Sequence, residues 1–119
     1  MKNKQIIRKK FRDEVLKRDG YKCKVCGRND VKLDPHHIEN RENMPNQGYV
    51  KENGITLCDC VDGCHMKAER YHITNGKDCD EGFHPTELFK LIGSNLELAK
   101  KESIKLWILK IMIGYKIKL

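Results

Sequence analysis

The spacing of apolar positions along the chain predicts four helices and two short strands. Residues 8–18 place Phe11, Val15 and Leu16 near one face of a helix, and Gly20 follows as a helix-ending glycine. The other predicted elements are strands at 31–38 and 55–58 and helices at 63–71, at 85–92 and from residue 94 onwards. Two strands set among helices predict a small α+β fold.

The connecting segments are polar and contain the chain's turn formers. Residues 39–54 and 74–84 are predicted to be loops. Ser94 with Glu97 three residues later is typical of a capping box, which would open the last helix. That helix carries apolar side chains at helical spacing, namely Ile104, Trp107, Ile108, Ile111 and Tyr115. We expect the tail at 104–119 to be a helix that packs on the core, with an apolar dimer contact as the alternative.

The length of 119 residues predicts one domain, residues 1–119, with a core at about 11–72 and a helical C-terminal extension at 85–119. A chain of this size buries a modest core and often needs a staple such as a metal ion. The net charge of +7 favours a polyanionic partner such as nucleic acid. Lysines that merely solubilise the protein would give the same charge.

The first ten residues are basic and lack the apolar run of a secretory leader. No stretch reaches the roughly 20 apolar residues that cross a bilayer, so no membrane partner is expected. The six cysteines are therefore expected to be cytoplasmic and reduced, where close cysteine pairs indicate metal or redox chemistry. Cys79 stands alone and is interpreted as a loop thiol.

The other cysteines have the spacing of a tetrahedral zinc site. Cys23 and Cys26 can occupy two corners around one ion. The other two corners must come from the later cysteines. Cys58 and Cys64 are preferred, because one ends a predicted strand and the other begins a predicted helix, and Cys60 is the alternative to either.

The histidines predict a second, reactive metal site. His36 and His37 are adjacent on a predicted strand, so they point to opposite faces. A divalent ion held by His36 and His65, with Glu69 one turn later, would keep positions open for water and phosphate oxygens. His37 would then be free to act as a general base. Alternatively, one histidine is the fourth zinc ligand and the others are surface residues.

Taken in order, these motifs resemble the HNH endonucleases of the cysteine-containing, zinc-stapled subfamily found in bacteriophages and bacterial mobile elements. The resemblance covers about residues 11–72. It is carried by the segments Phe11–Cys23, Cys26–Gly27, His36–Ile38, Asn53–Cys58 and Cys64–His65. The last two cysteines of the motif are farther apart here than is usual in the family, which keeps Cys60 open as a ligand.

The resemblance implies a ββα-metal (His-Me finger) core, with two antiparallel strands and a helix around one divalent ion. We expect this core to carry a structural zinc knuckle, predicted at Tyr21–Arg28, and to be flanked by N- and C-terminal helices. His36 and His65 match the family's metal ligands, and His37 matches its general base. Asn53 matches the asparagine that orients the loop and the base. Glu69 stands where the family often has a further histidine. The implied cofactors are structural Zn²⁺ and a catalytic divalent ion such as Mg²⁺ or Mn²⁺.

The function implied is metal-dependent hydrolysis of DNA backbone phosphodiester bonds with low sequence specificity. DNA is the expected partner, phage packaging or recombination proteins are candidate further partners, and the setting would be a bacterial or phage-infected cytoplasm. A monomer and a homodimer are both compatible with the sequence. Phosphate contacts are expected from basic residues of the first helix, namely Arg8, Lys9, Lys10 and Arg12.

Two alternatives come from other functional classes. A zinc-stapled nucleic-acid-binding module without hydrolytic activity would need the cysteines and the basic residues but not His37. A redox protein would use Cys23 and Cys26, but it would leave the remaining cysteines and the histidines unexplained.

Overall fold

A computed structural model describes the fold of residues 3–118 and the side chains of residues 3–113. In chain order the elements are α1 (Asn3–Arg18), β1 (Leu33–His37), β2 (Gly54–Cys58), α2 (Cys64–Ile73), α3 (Pro85–Leu91), α4 (Leu96–Ile104) and α5 (Leu106–Lys118). Three short 3₁₀ turns, Arg41–Asn43, Pro45–Gly48 and Lys51–Asn53, lie between the strands. Two antiparallel strands and several helices make a small α+β fold, as the apolar pattern predicts.

Helix α1 forms because one side of it is apolar. Its buried residues Ile7, Phe11, Val15 and Leu16 recur at helical spacing, and the helix packs against both strands. It begins at Asn3 rather than at residue 8, so the predicted start was too late. Gly20 follows its last turn with φ of +70°, a conformation that glycine adopts without steric cost.

The register of the sheet directs its two histidines to different helices. In the antiparallel pair, His36 lies opposite Ile55 and His37 opposite Gly54. Because side chains alternate along a strand, His36 points towards α2 and His37 towards α1.

Pro35 lies inside β1 without disrupting the sheet. It faces Thr56, whose backbone N–H donates to Asp19 Oδ2 at 2.8 Å and whose carbonyl accepts from the Lys24 N–H at 2.9 Å. Thr56 therefore points both of its backbone groups away from β1. Pro35 therefore occupies a non-hydrogen-bonded pair, where its lack of an N–H removes no hydrogen bond between the strands.

An arginine–aspartate pair joins the end of α1 to the start of β2. Arg18 donates through Nε and Nη2 to the two oxygens of Asp19, at 2.8 and 2.9 Å. The same guanidinium donates to the carbonyls of Lys51 and Gly54, at 2.5 and 2.6 Å. Asp19 is buried, so these charge-assisted bonds replace the water that its carboxylate loses.

Helices α3 and α4 contribute side chains to the same core as the sheet. Phe83, Leu88, Phe89 and Ala99 belong to the same buried cluster as the β2 residue Leu57. Three buried members of this cluster, Cys23, Cys58 and Cys64, are also candidate metal ligands. The core is therefore continuous from the sheet to α4.

The start of α4 differs from the predicted capping box. Asn95 is the N-cap, because its side-chain oxygen accepts from the Leu98 N–H at 2.8 Å. The Ser94 hydroxyl instead donates to the Glu52 carbonyl at 2.8 Å, which ties α4 to the loop before β2. The helix is also shorter than predicted, since α4 ends at Ile104 and α5 follows as a separate helix.

Helix α5 packs on α1 with a face that the sequence pattern did not single out. Leu106 and Ile113 are buried. The described members of the predicted apolar set are about half exposed, namely Ile104, Trp107, Ile108 and Ile111. The Tyr115 side chain lies outside the described residues. The tail therefore packs on the rest of the protein, but it buries Leu106 and Ile113 rather than the described members of the predicted set. None of the helices described between residues 3 and 118 combines the length and the apolar composition that crossing a bilayer requires.

The close approach of α1 to β2 predicts a steric penalty at Gly54. A Cβ added there would lie 2.5 Å from Val15 Cγ2 and 2.7 Å from Phe11 Cε1. Overpacking of this kind costs about 1–3 kcal/mol, so Gly54→Ala should lower the free energy of unfolding by that amount in urea titrations. In a Val15→Ala background the penalty should be smaller, because the nearest atom is gone. Equal penalties in both backgrounds would contradict the contact.

Candidate functional site

Four cysteines converge where the chain between α1 and β1 meets the start of α2. The Sγ atoms of Cys23, Cys26, Cys58 and Cys64 all lie within 4.8 Å of one another. The Cys26 N–H donates to Cys23 Sγ at 3.5 Å, and the Cys64 N–H donates to Cys58 Sγ at 3.3 Å. Backbone N–H groups aimed at sulfur are typical of a thiolate metal site. These four residues, which we call the cysteine cluster, could hold a metal ion.

The cysteine cluster favours a thiolate at one position. Burial acts to raise the pKa of Cys23, but hydrogen bonds from the backbone of Cys26, Cys58 and Val25 outweigh it and lower the pKa to about 7. Burial raises the pKa of Cys64 above its usual value, and the neighbouring sulfurs of Cys23 and Cys58 add to this increase. Repulsion between the sulfurs therefore disfavours ionisation of all four cysteines, and a bound cation would offset that repulsion.

The two remaining cysteines lie outside this cluster. Cys60 is half-buried in the turn before α2, and it is not in any group of possible metal ligands within the described residues. Cys79 is exposed in the loop before α3, where its thiol donates to the Asp80 carbonyl at 3.5 Å.

A second group of possible ligands lies between β1 and α2. His36 Nδ1 is 3.0 Å from Glu69 Oε1, and His65 Nε2 is 3.4 Å from the same oxygen. His65 and Glu69 share a face of α2 because they are four residues apart. The sheet register brings His36 against that face. We call these three residues the His–Glu site.

The chemistry of the His–Glu site fits a divalent cation. Two imidazole nitrogens and a carboxylate oxygen, all within 4.8 Å of one another, are a common donor set for first-row divalent ions. His36 is almost fully buried, and its Nε2 has no hydrogen-bond partner among the described residues. Three protein ligands leave coordination positions open for water or substrate oxygens.

The charges of the His–Glu site are tightly linked. Hydrogen bonds with His36 and His65 hold the pKa of Glu69 well below its usual range. The hydrogen bond with Glu69 raises the pKa of His65. Burial lowers the pKa of His36, although Glu69 opposes this effect. The site therefore keeps an ionised carboxylate beside a buried, neutral imidazole.

His37 lies on the other face of β1, between two aromatic rings. The Phe11 ring stacks on it with centroids 4.6 Å apart, and the Tyr49 ring meets it edge-on at 4.6 Å. Burial, with smaller effects of the charges on His36 and Arg41, lowers the pKa of His37 to about 3. The imidazole is thus neutral near pH 7 and is held in a fixed orientation by its neighbours.

Asn53 organises the loop rather than touching the His–Glu site. Its side chain is fully buried; Oδ1 accepts from the Glu39 N–H at 2.9 Å, and Nδ2 donates to the carbonyls of Glu39 and Gly48 at 3.2 and 3.3 Å. The Ile38 N–H donates to the Asn53 carbonyl at 2.9 Å. Gly48 has φ of +66°, and a Cβ there would lie 2.7 Å from Asn53 Nδ2. These bonds fix the chain directly after His37.

A cleft of about 220 Å³ opens beside the His–Glu site. It is lined by polar and ring-bearing residues, namely Pro35, His36, His37, Asn40, Arg41, His65, Glu69 and His72. Sequence reasoning did not identify Arg41 or His72. The spacing could have indicated His72, because it lies seven residues after His65 and therefore on the same helix face. The His72 ring is 5.4 Å from the His36 ring.

The basic residues expected to contact phosphates mostly have partners within the protein. Lys9 pairs with Asp13 at 2.5 Å and Lys10 with Glu14 at 2.8 Å, and both pairs are exposed. Exposed pairs of this kind are weak and exchange with solvent.

The two arginines of this group lie nearer the sheet and the loop. Arg12 is 3.7 Å from Asp34 on β1. The Arg8 guanidinium lies over the Tyr49 ring, 5.6 Å from its centroid. Arg8 is therefore next to the ring that contacts His37.

No protein-family model, curated protein or solved structure matches this chain. The cysteine cluster and the His–Glu site are contiguous, since Cys64 and His65 are neighbours at the start of α2.

The geometry of the cysteine cluster predicts which cysteine substitutions abolish metal binding. Cys58→Ser, like Cys23→Ser or Cys26→Ser, should lose the bound metal and lower the thermal unfolding midpoint, because it removes one of four convergent sulfurs. Cys60→Ser is the matched control and should keep the wild-type metal content. Elemental analysis and thermal unfolding of both proteins would test this. Loss of metal in Cys60→Ser with retention in Cys58→Ser would contradict the cluster.

Proposed function

We propose that this protein is a metal-dependent DNA endonuclease with a ββα-metal core of the HNH type. One observation carries the proposal: an antiparallel strand pair and the following helix bring His36, His65 and Glu69 to one point, with His37 on the adjacent strand position. Packing a helix on a strand pair does not by itself require two imidazoles and a carboxylate to converge in this way. The net charge of +7 supports a polyanionic substrate.

The cysteine cluster is assigned to a structural zinc ion. Four cysteine sulfurs make a closed tetrahedral site, which leaves no position for substrate. Structural zinc contributes roughly 10–16 kcal/mol of apparent binding free energy in small zinc-finger domains, which becomes folding free energy. In a domain of this size such a contribution is large compared with a net stability of about 5–15 kcal/mol.

The His–Glu site is assigned to the catalytic divalent ion, Mg²⁺ or Mn²⁺ in the first instance. An ion bound there would stabilise the negative charge that develops on the phosphoryl group and on the departing 3′ oxygen. His36, His65 and Glu69 would hold it, and the cleft beside them would receive the phosphate.

His37 is assigned the role of general base. Its imidazole lines the cleft and is held by Phe11 and Tyr49, so it is oriented to accept a proton from a water molecule. Because burial lowers its pKa to about 3, this role requires that the negative charge of a bound phosphate raise that pKa towards the working pH. The water oxygen then bonds to phosphorus as the P–O3′ bond breaks. The resemblance to HNH enzymes implies 5′-phosphate and 3′-hydroxyl ends. Asn53 keeps the loop after His37 in place.

A plasmid assay tests the activity directly. Zinc-loaded, folded protein incubated with supercoiled plasmid should produce nicked or linear DNA when Mg²⁺ or Mn²⁺ is added, and chelation of the added ion should stop the reaction. Absence of cleavage with every divalent ion tried would overturn the nuclease proposal. The remaining candidate function would then be a zinc-stapled nucleic-acid-binding module without hydrolytic activity, which the positive net charge also supports.

His37→Ala should separate hydrolysis from binding. Loss of a general base typically lowers the rate by about 10²–10⁴-fold, whereas zinc content and DNA affinity should stay at wild-type values. The unfolding midpoint should fall, because the ring that packs between Phe11 and Tyr49 is lost, so both proteins are assayed well below their midpoints. His84→Ala is the matched control, because His84 caps α3 outside the cleft by accepting from the Thr86 N–H. It should cleave at the wild-type rate. Full activity in His37→Ala would contradict the assigned role.

His65→Ala distinguishes the two metal sites. If His65 holds the catalytic ion, this change should abolish cleavage and weaken Mn²⁺ binding while one zinc per chain and the folded state remain. An open site with few protein ligands contributes little to folding, but it loses much of its affinity with one ligand. Simultaneous loss of zinc and fold would instead assign His65 to the zinc site. Zinc analysis, circular dichroism and Mn²⁺ titration give the readouts.

A further inference from the structure

The His65 ring lies between carboxylates on both sides. Nε2 faces Glu69 of the His–Glu site, at 3.4 Å. Nδ1, on the opposite side of the ring, faces Asp59 Oδ1 at 3.6 Å and Asp34 Oδ2 at 3.8 Å. The sequence gives no hint of this arrangement, because Asp34 and Asp59 belong to different strand ends.

Regular backbone structure holds both aspartates close to His65. Asp34 is on β1, and Asp59 directly follows β2, where its N–H donates to the Lys32 carbonyl at 2.8 Å. That bond continues the ladder of the sheet by one residue. Asp59 is therefore held by regular backbone pairing on one side and follows Cys58 of the cysteine cluster on the other.

We propose that Asp59, assisted by Asp34, is a positioning residue that accepts the Nδ1 proton of His65 and thereby directs Nε2 towards the ion of the His–Glu site. The proposal rests on the proposed function to the extent that His65 is a metal ligand. A metal-binding imidazole needs one nitrogen free of protons, so its remaining proton must sit on the other nitrogen. A carboxylate acceptor at that nitrogen orients the ring and strengthens the ligand.

The Nδ1 contact is within ion-pair range but longer than a hydrogen bond. Binding of an ion at Nε2 leaves the single proton on Nδ1. The Nδ1–H group can then donate to the Asp59 carboxylate, which favours rotation of the ring towards Asp59. The required movement is a fraction of an ångström in a partly buried side chain. Hydrogen bonds of this kind commonly tighten when a site is filled.

An alternative is that Asp34, Asp59 and His65 bind a cation of their own, since their ligand atoms lie within 4.8 Å of one another. The local charges disfavour it. Lys32 Nζ is 3.4 Å from Asp59 and 3.8 Å from Asp34, and Arg12 is 3.7 Å from Asp34. Two protein cations thus already balance the two carboxylates, and a third positive charge would have to displace them.

Titration of the zinc-loaded protein with Mn²⁺ tests the role of Asp59. Asp59→Ala should weaken Mn²⁺ binding by about 10–100-fold, the usual cost of losing the acceptor behind a metal-binding histidine. Asp59→Asn should lose less Mn²⁺ affinity, because its Oδ1 can still accept a hydrogen bond from Nδ1–H of His65. Asp34→Ala should also lose less, because Asp34 is the more distant acceptor. Zinc content and unfolding midpoint should not change.

Two controls separate positioning from other effects. Asp30→Ala removes an exposed carboxylate that pairs with Arg28, and it should leave Mn²⁺ affinity unchanged. If Asp59 acted only through its charge, Asp59→Asn would lower the Mn²⁺ affinity as much as Asp59→Ala does. That result would overturn the positioning role. A spectroscopic signature adds to this: Mg²⁺-loaded wild type should show a downfield proton resonance from the hydrogen-bonded Nδ1–H of His65, and Asp59→Ala should lose it.

The outcomes distinguish this inference from the proposed function. Wild-type affinity in Asp59→Ala would overturn the inference alone and leave the His–Glu site intact. Binding of two Mn²⁺ ions per chain besides zinc, with one lost in Asp59→Ala, would replace positioning with a second cation site. Absence of any Mn²⁺ binding to the wild type would overturn both the catalytic-ion assignment and the role of Asp59.

Discussion

The convergence of four sulfurs fixes the relation between the sheet and α2, and the rest of the site depends on that relation. Cys58 is the last residue of β2 and Cys64 the first of α2, so both ends of the intervening turn are tied to one point. The turn itself is polar and exposed at its tip, and it has little core of its own to hold it. Where α2 starts therefore depends on sulfur geometry, and where α2 starts decides which of its residues face β1.

The His–Glu site follows from this starting point by helical geometry. Once Cys64 is fixed, the next residue, His65, and the residue one turn later, Glu69, come to lie over β1. Strand alternation does the rest, since consecutive histidines must point to opposite faces and only His36 can meet the helix. His37 is left for the aromatic contacts with Phe11 and Tyr49. Two adjacent residues of one type thus acquire different environments: burial lowers the pKa of both, but His36 has a carboxylate partner and His37 lies between two aromatic rings.

The sequence predicted those features that depend on local spacing. Cysteine spacing and strand alternation indicated which side chains could converge, and the helix boundaries at α2 and α3 lie close to those predicted. It did not predict which apolar residues of α5 would be buried, because every face of that helix offers apolar side chains and only the position of α1 decides among them. The N-cap of α4 was placed one residue early for a similar reason: Ser94 and Asn95 are both good caps, and the distant Glu52 carbonyl takes the serine hydroxyl. The role of Asp59 beside His65 depends on a strand register that no local pattern reveals.

The pairing of Pro35 with Thr56 has a consequence for how this protein behaves at high concentration. A two-stranded sheet has two outer edges, and each could recruit a strand from another molecule. On β1 the outward-facing position in mid-strand is proline, which has no N–H to offer. On β2 the outward groups of Thr56 are taken by Asp19 and Lys24, and the Gly54 carbonyl is taken by Arg18. Both edges are thus blunted at their centres and each strand has only five residues, and both features protect the sheet against edge-to-edge aggregation.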